Sequence, residues 1–487
     1  MKTEEAYLVI DIGTGNVRVA VVRPDGEVLG VGRGDLPYHR DELYPDSIYF
    51  QPDQLWEQLI SLGQEALQQS GKVEIKAFTT TSQREGIVLV SAKGKSLIGL
   101  PNIDHRGREW ENKIGNKNRV YELSGRYPTS LFSACKLEGI RQRRKDIWSE
   151  FSFFLSISDW VQYKLTGIAK YEHSQASETL LYDVEKGGWS EELISLFDLS
   201  AKHLPPLTAS ASVIGTVLKD VAQKWNVQDG AIVVTGGGDT QLAIKSTQPS
   251  VEDVVIVSGT TTPIVKLVDH YITDSQQRTW TSRDIEPNRF VFEANAGVTG
   301  LNYQRLKEVF YPNEGYDVIE KELATNPHRH CMASLGSLIA TEKTPVTRGG
   351  FVFPVPVSHE LSRSSFVWAT LLDIAFSIAE NYKVLQEIAG HAPNYVWACG
   401  GGLQSKALRQ LIADIIQKKV KVRHGFQQSS AVGGALICNE ALQRGSGQLN
   451  TNIDTVSPQQ QEAAVVEKLY AEWKTTRNYF RQISGCE

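Results

Sequence analysis

The chain has little cysteine: five residues in 487, at Cys135, Cys331, Cys399, Cys438 and Cys486, odd in number and with no CxxC pair. That excludes a disulfide framework and the usual spacing of a zinc site, and it points to reduced thiols in a cytoplasmic protein. A surplus of basic charge is also missing, since 51 Lys and Arg stand against 56 Asp and Glu. Proteins whose main partner is nucleic acid carry the opposite balance, so that class is excluded. The basic run Arg141, Arg143, Arg144 and Lys145 therefore reads as a solvated helix face. No apolar run reaches the length that spans a bilayer, and the opening Met1 to Ala6 has no apolar signal core, so no membrane association is expected.

What is present is an enzyme-sized α/β chain. A length of 487 residues exceeds what one hydrophobic core usually supports and predicts two domains. Strand patterns alternate with amphipathic helices: a helix begins near Gln54, and Ile75 to Thr80 reads as a strand. The most informative stretch is Tyr7 to Val22. Its Gly13-Thr14-Gly15 cluster follows an apolar strand, but what comes next is β-type alternation at Val17, Val19 and Val21, then a turn at Pro24-Asp25-Gly26 and a further strand. A dinucleotide site requires the glycines to open a helix, so that reading fails. A polar glycine turn between buried strands offers N–H groups and a hydroxyl to an anion, and Asp11 at the strand end could hold a metal. The same residues also suit an ordinary hairpin.

The pattern recurs at Val254 to Leu267, again strand, Gly-Thr turn, strand, so the two halves read as related copies. Val257 stands where the first copy has Asp11. A boundary falls in the loop-like Ser246 to Ser250, giving domains 1–248 and 249–487. A third cluster, Gly400-Gly401-Gly402, sits between a strand and a helix and leaves room for a flat ring against the backbone, with Gln404 and Ser405 nearby. It follows a long apolar-periodic helix through Leu371 and Ile378, and the chain closes with a polar segment and a helix near Ala464 to Phe480. The fourth cluster is Gly236-Gly237-Gly238-Asp239, where a buried strand ends and a helix begins. Asp239 is equally a helix N-cap and a proton acceptor, and the helix dipole favours its ionised form. Ionised, it could help an attacking hydroxyl in phosphoryl transfer.

Two phosphate hairpins, a glycine turn for adenosine and the GGGD at Asp239 together resemble the FGGY family of carbohydrate kinases over roughly residues 6 to 440. Ile157 to Gly167 is similar to the family helix that precedes the segment corresponding to Tyr171 to Asp183. The resemblance implies two actin-like, ribonuclease H-like domains related by duplication, with an ATP cleft between them that closes over ATP, Mg2+ and a small sugar or polyol. It implies Asp239 as catalytic base, Asp11 as the carboxylate that orients magnesium through water, and Thr14, Gly15, Asn16 and Arg18 as the first phosphate loop. Thr260 and Gly300 resemble the second phosphate site and Gly401 the adenosine turn, while Ser405 falls where some members have Asn. On the acceptor side Ser82-Gln83-Arg84-Glu85-Gly86 matches the substrate motif of glycerol kinases, with Arg84 and Glu85 against hydroxyls, joined by Asp104, Asp239 and Thr240. Without the family match, Arg84 and Glu85 read as a surface ion pair. Family members are often dimers; the sequence leaves a homodimer open.

Departures narrow the expectation. Glycerol kinases place Trp where Asn102 stands, two residues before Asp104, and their substrate tyrosine falls near Leu131. A typical glycerol kinase is therefore not expected. Gln83 to Leu89 with Asn102-Ile103-Asp104 resembles most the autoinducer-2 kinase branch, whose acceptor is a small polyhydroxy ketone. His105 stands beside Asp104 and reads either as an acceptor contact or as a structural hydrogen bond. The expected function is ATP-dependent phosphorylation of a hydroxyl on a small sugar, ketose or polyol. A different class, an actin-like ATPase of chaperone or filament type, shares the core but has no use for an acceptor motif.

Overall fold

The computed structural model describes residues 4–326, 330–390, 392–444, 452–459 and 463–484. These form two compact units, the first from Met1–Ser246, Val268–Val291 and Ser429–Thr451, the second from Thr247–Leu267, Phe292–Gln428 and Asn452–Glu487.

In the first unit, the alternating apolar residues around Asp11 build an antiparallel hairpin of Glu4–Ile12 and Asn16–Val22, which places Asp11 opposite Arg18. Val28–Asp35 extends the hairpin on one side, and Val73–Ser82 joins Glu4–Ile12 in parallel on the other. Ile232–Gly238 runs parallel beside Val73–Ser82, and Val213–Thr216 closes the edge antiparallel. The expected helix occupies Pro52–Ser70, with proline in its first turn, where a missing N–H costs nothing, and Leu55, Trp56, Leu59 and Ile60 on its buried face.

The second unit repeats this plan. Val254–Val257 and Pro263–Val268 form an antiparallel hairpin, Tyr395–Cys399 and Lys419–Arg423 add in parallel, and Ile453–Val456 closes antiparallel. Phe290–Asn295 lies beside Pro263–Val268, as Val28–Asp35 lies beside its own hairpin. Five strands thus match in order and sense, and the sixth in order, which bears out the duplication read from the two Gly-Thr hairpins. The long helix is Arg363–Ala389 and the last is Ala463–Ser484.

One element departs from a simple division into two chain halves. The helix Ser429–Ala441 packs on the sheet of the first unit, burying Ala431, Ala435, Ile437 and Cys438 against Tyr7, Val9, Val22, Ala77 and Val234. Its Gly433 makes the approach close enough that a Cβ there would sit 2.0 Å from the Leu242 carbonyl oxygen. Tyr7 Oη donates to Asn439 Oδ1 at 2.6 Å, fixing the helix along the first strand.

The basic run is not a bare solvated face. It straddles the break between helices Ser133–Arg143 and Lys145–Glu150, with Arg141 paired to Glu138 and Asp198 and Arg144 to Asp41 and Asp146. Cys135, Cys331 and Cys438 are buried free thiols. No described helix is long and apolar enough to cross a membrane.

Candidate active site

The first hairpin turns through Gly13 to Asn16, closed by a Gly13 N–H to Asn16 carbonyl bond of 2.8 Å. Asp11 is 6 % exposed and lies 3.8 Å from the Arg18 guanidinium. Gly15 faces open space, since a Cβ there would meet nothing within 4 Å. The turn is held from behind: Tyr38 Oη donates to the Thr14 carbonyl, Asn102 Nδ2 donates to Thr14 Oγ1 at 3.0 Å, and Gln83 Nε2 donates to the Gly13 carbonyl at 3.1 Å. This leaves a polar loop with its rim clear, the form an anion site requires.

The acceptor motif begins where Val73–Ser82 ends. Gln83 N–H bonds the Ile12 carbonyl at 2.7 Å, tying the motif to the strand that carries Asp11. Arg84 and Glu85 are buried, so the surface ion-pair reading is set aside. Glu85 adopts φ of 62°, a left-handed conformation that is strained for a residue with a side chain and that concentrates at functional sites. Burial, with the nearby Glu178 carboxylate, pushes the Glu85 carboxyl up to about 8 against the pull of Arg84. Arg84 Nη1 stands 3.7 Å from Glu178 Oε1, which also accepts from Arg126 Nη2. Arg126 stacks 4.7 Å over the Trp280 ring. Lys136 is fully buried, donates to the Leu131 carbonyl, and is pushed down to about 8 by burial.

Asp104 and His105 are placed differently from the acceptor role. Asp104 is wholly buried, its Oδ1 accepting from Ile48 N–H at 2.9 Å and its Oδ2 from Arg106 Nε at 2.7 Å. Its carboxylate anchors the loop that presents Asn102. His105 Nδ1 lies 3.0 Å from Ser130 Oγ, the structural hydrogen bond of the two readings.

Asp239 opens the helix Asp239–Thr247 directly after Ile232–Gly238. Its Oδ1 accepts from Thr240 N–H at 2.6 Å and lies 3.3 Å from Thr240 Oγ1, so Thr240 is turned toward the carboxylate. Burial raises the Asp239 carboxyl to about 6; Arg84 pulls it down and Asp11 pushes it up. The direction is opposite to the helix dipole expectation, because a dipole contribution of roughly 0.3–1 kcal/mol is smaller than the cost of removing the charge from water. Asp11, Arg84 and Asp239 therefore share one electrostatic neighbourhood. The turn is fixed from below by Ser174 Oγ, which accepts from Gly238 N–H at 3.0 Å and donates to Glu172 Oε2 at 2.5 Å.

In the second unit the Gly400-Gly401-Gly402 cluster meets the second hairpin at Ser258. Gly402 N–H bonds its carbonyl at 2.9 Å, its own N–H bonds Cys399, and Thr262 Oγ1 donates to its hydroxyl at 3.1 Å. Leu301 N–H reaches the Thr260 carbonyl at 3.3 Å, and Gly300 packs so closely that a Cβ would lie 2.0 Å from the Gly259 carbonyl. Gly401, like Gly15, faces open space. A short 3-10 turn, Gly401–Gln404, stands where the sequence predicts the helix to begin. Ser405 then caps Lys406–Ile416, accepting from Leu408 N–H at 3.1 Å, and is 3 % exposed. Its hydroxyl is thus used as a helix cap.

Sequence reasoning gave no role to Glu178, Arg126, Lys136 or Ser258, and it placed Gln83 only as a member of the acceptor motif. Glu178 lay in the segment matched to the family, but nothing local marks it as the partner of two arginines from other elements.

Comparison with known proteins accounts for this arrangement. The N-terminal domain model of the FGGY family of carbohydrate kinases matches residues 6–245, and the C-terminal domain model matches residues 304–442. The chain is 48% identical over 490 residues to YoaC of Bacillus subtilis (strain 168), a sugar kinase by name, covering 100% of this chain and 99% of that one. It is 23% identical to a xylulose kinase of Staphylococcus epidermidis (strain ATCC 12228 / FDA PCI 1200), covering 90% and 88% of the two chains. It is also 23% identical to the autoinducer-2 kinase of Escherichia coli (strain K12), covering 88% and 84%. A crystal structure of ligand-bound xylulose kinase from Lactobacillus acidophilus superposes with a TM-score of 0.84 at 18% identity over 99% of both chains, which establishes the fold. The chain belongs to the FGGY family of carbohydrate kinases and is an ATP-dependent sugar kinase with two actin-like domains.

Proposed function

We propose that this kinase transfers the terminal phosphoryl group of ATP to a hydroxyl of a small ketose or linear polyhydroxy compound, with Asp239 taking the hydroxyl proton. The observation that carries the reading is the Asp239 carboxyl raised to about 6 beside the buried Arg84. Such a group is ionised at neutral pH, yet is a better proton acceptor than an ordinary aspartate. Arg84 donates to one acceptor oxygen. Glu85, neutral below about 8, both donates and accepts, so the pair orients two neighbouring hydroxyls.

The nucleotide is assigned to Thr14, Gly15, Asn16 and Arg18 in the first unit, and to Thr260, Gly300 and Gly401 in the second. The open faces of Gly15 and Gly401 support this, since a side chain there would intrude on a ligand. Ser405 supports the turn as a cap. The acceptor set is Arg84, Glu85 and Asp239, with Thr240 holding the Asp239 carboxylate and Asp104 supporting the loop. Domains 1–248 and 249–487 describe the duplicated halves, with the helix Ser429–Ala441 lent to the first unit's sheet. Among the described residues no group of three or more acidic, Cys or His side chains is gathered for a metal. Asp11 with Asp239 nearby fits magnesium, which keeps most of its waters and takes phosphate oxygens. Bound there with the nucleotide, it would neutralise phosphate charge. A cytoplasmic location and a homodimer complete the reading, the first supported by the buried thiols and the second by the family's habit.

A second reading, autoinducer-2 kinase activity, is favoured by one observation. Polar Asn102 and aliphatic Leu131 stand where glycerol kinases carry aromatic residues, and Asn102 is held against the phosphate turn. Purified protein screened with ATP against acceptors from glycerol to hexuloses, including the autoinducer-2 precursor, tests both readings. A small ketose or polyhydroxy ketone should give the highest kcat/KM; glycerol as the best acceptor would overturn them.

A further inference from the structure

The small sheet beside the acceptor motif brings two loops out at one end. Ile87, just after Glu85 and Gly86, pairs with Leu100, just before Pro101 and Asn102. Asn102 is therefore delivered next to Gln83, and its N–H bonds Gln83 Oε1 at 2.8 Å. The Gln83 side chain, only 1 % exposed, reaches on to the Gly13 carbonyl. Asn102 Nδ2 meanwhile donates to Thr14 Oγ1 at 3.0 Å. The loop itself cannot drift, because Asp104 is pinned by Ile48 and Arg106.

A threonine hydroxyl has one hydrogen and two lone pairs. With one lone pair occupied by Asn102 Nδ2, the hydrogen must point elsewhere, and the clear rim of the turn is where the phosphates are assigned. Without the amide, the hydroxyl would be free to rotate and its hydrogen would have no set direction. We propose that Asn102 is a positioning residue that sets the Thr14 hydroxyl as a donor to the nucleotide phosphates. The inference rests on the assignment of the Thr14 turn to ATP phosphates. It adds a reason for amide chemistry at this position: only a side chain that donates on one side can orient the hydroxyl, and a carboxylate would reverse it.

Calorimetric titration with Mg-ATP and steady-state kinetics on the full chain test this with Asn102→Ala, Asn102→Asp, Thr14→Val and the double variant Asn102→Ala with Thr14→Val. Asn102→Ala should weaken ATP binding by roughly fivefold to tenfold, the scale of one ordinary net hydrogen bond. The nearly isosteric Asn102→Asp should weaken it further, and the acceptor KM should move far less in both. In the Thr14→Val background Asn102→Ala should cost nothing more. Equal losses of Asn102→Ala in both backgrounds, or a loss confined to the acceptor KM, would overturn the proposal. Unchanged thermal midpoints keep the comparison to folded protein; should Asn102→Ala unfold, the uncharged and bulkier Asn102→Leu takes its place in the cycle. Nucleotide binding without acceptor-dependent turnover would instead break the functional reading and leave this cycle readable.

Discussion

At Asp239 two roles of one side chain coincide. The residue opens a helix, though its carboxylate accepts from the next N–H and not from the N–H two or three residues on that a capping aspartate takes, and burial and the neighbouring Asp11 lift its carboxyl to about 6. A raised carboxyl is protonated as pH falls through that value, so the base is lost on the acid side. We expect kcat/KM for the acceptor, which reports ionisations of the free enzyme, to fall with unit slope below a pH of about 6 and to stay level above it until other groups titrate. Asp239→Asn keeps the shape and the accepted N–H but removes proton acceptance, and should lower kcat by about 10²–10⁴-fold with ATP affinity retained. Titration calorimetry beside turnover separates the two; parallel losses would reduce Asp239 to a structural cap. Arg84→Ala should raise the acceptor KM well above any change in the ATP KM, read from initial rates with each substrate varied.

At the scale of elements, the helix Ser429–Ala441 tests packing against propensity. Alanine favours a helix over glycine by about 1 kcal/mol, so propensity alone predicts that Gly433→Ala stabilises. A Cβ at 2.0 Å from the Leu242 carbonyl reverses the sign: the helix must lift, at a cost of about 1–3 kcal/mol, measurable by denaturant unfolding. Leu242 lies in the helix that Asp239 opens, so turnover should fall as well. A second test lies on Ile157–Thr166, where Asp159 is 1 % exposed and burial lifts its carboxyl to about 8 from an ordinary 3.8. The folded chain then holds a proton that the unfolded chain has released, so this contribution to stability is complete below about 3.8 and is lost progressively as pH rises to about 8. Asp159→Asn should flatten that decline, which thermal midpoints at pH 5 and pH 8 will show; an unchanged slope would mean the carboxyl is not held neutral. Elements of this kind were legible in the sequence where pattern is local. The alternation at Val17, Val19 and Val21 and the glycines before Asp239 mark the strand ends they occupy. Glu178 was not legible, because its partners Arg84 and Arg126 come from distant segments and only the fold brings them to one carboxylate. Nor was the strained backbone at Glu85, which no residue-level preference announces.

For the whole molecule, the duplication has the widest consequence. The two sheets share their strand order, but their hairpins have diverged: the first keeps Asp11, while the second has Val257 and packs Gly300 on Gly259 and Gly402 on Ser258. Only the first unit also carries Arg84, Glu85 and Asp239, so the proposed function assigns the chemistry there and gives the second unit nucleotide contacts. The divergence of the two hairpins was readable from the sequence, where Val257 replaces the carboxylate. The exchange of Ser429–Ala441 was not, since its small-residue sequence suits any close helix contact. The proposed acceptor site around Arg84, Glu85 and Asp239 would separate this chain from actin-like ATPases, which place only water against the terminal phosphate. The direct test is ADP release by the purified chain with Mg-ATP, with and without the acceptor found by screening. The account predicts little release without sugar and a large increase with it, matched mole for mole by sugar phosphate. Release already maximal without sugar would contradict it.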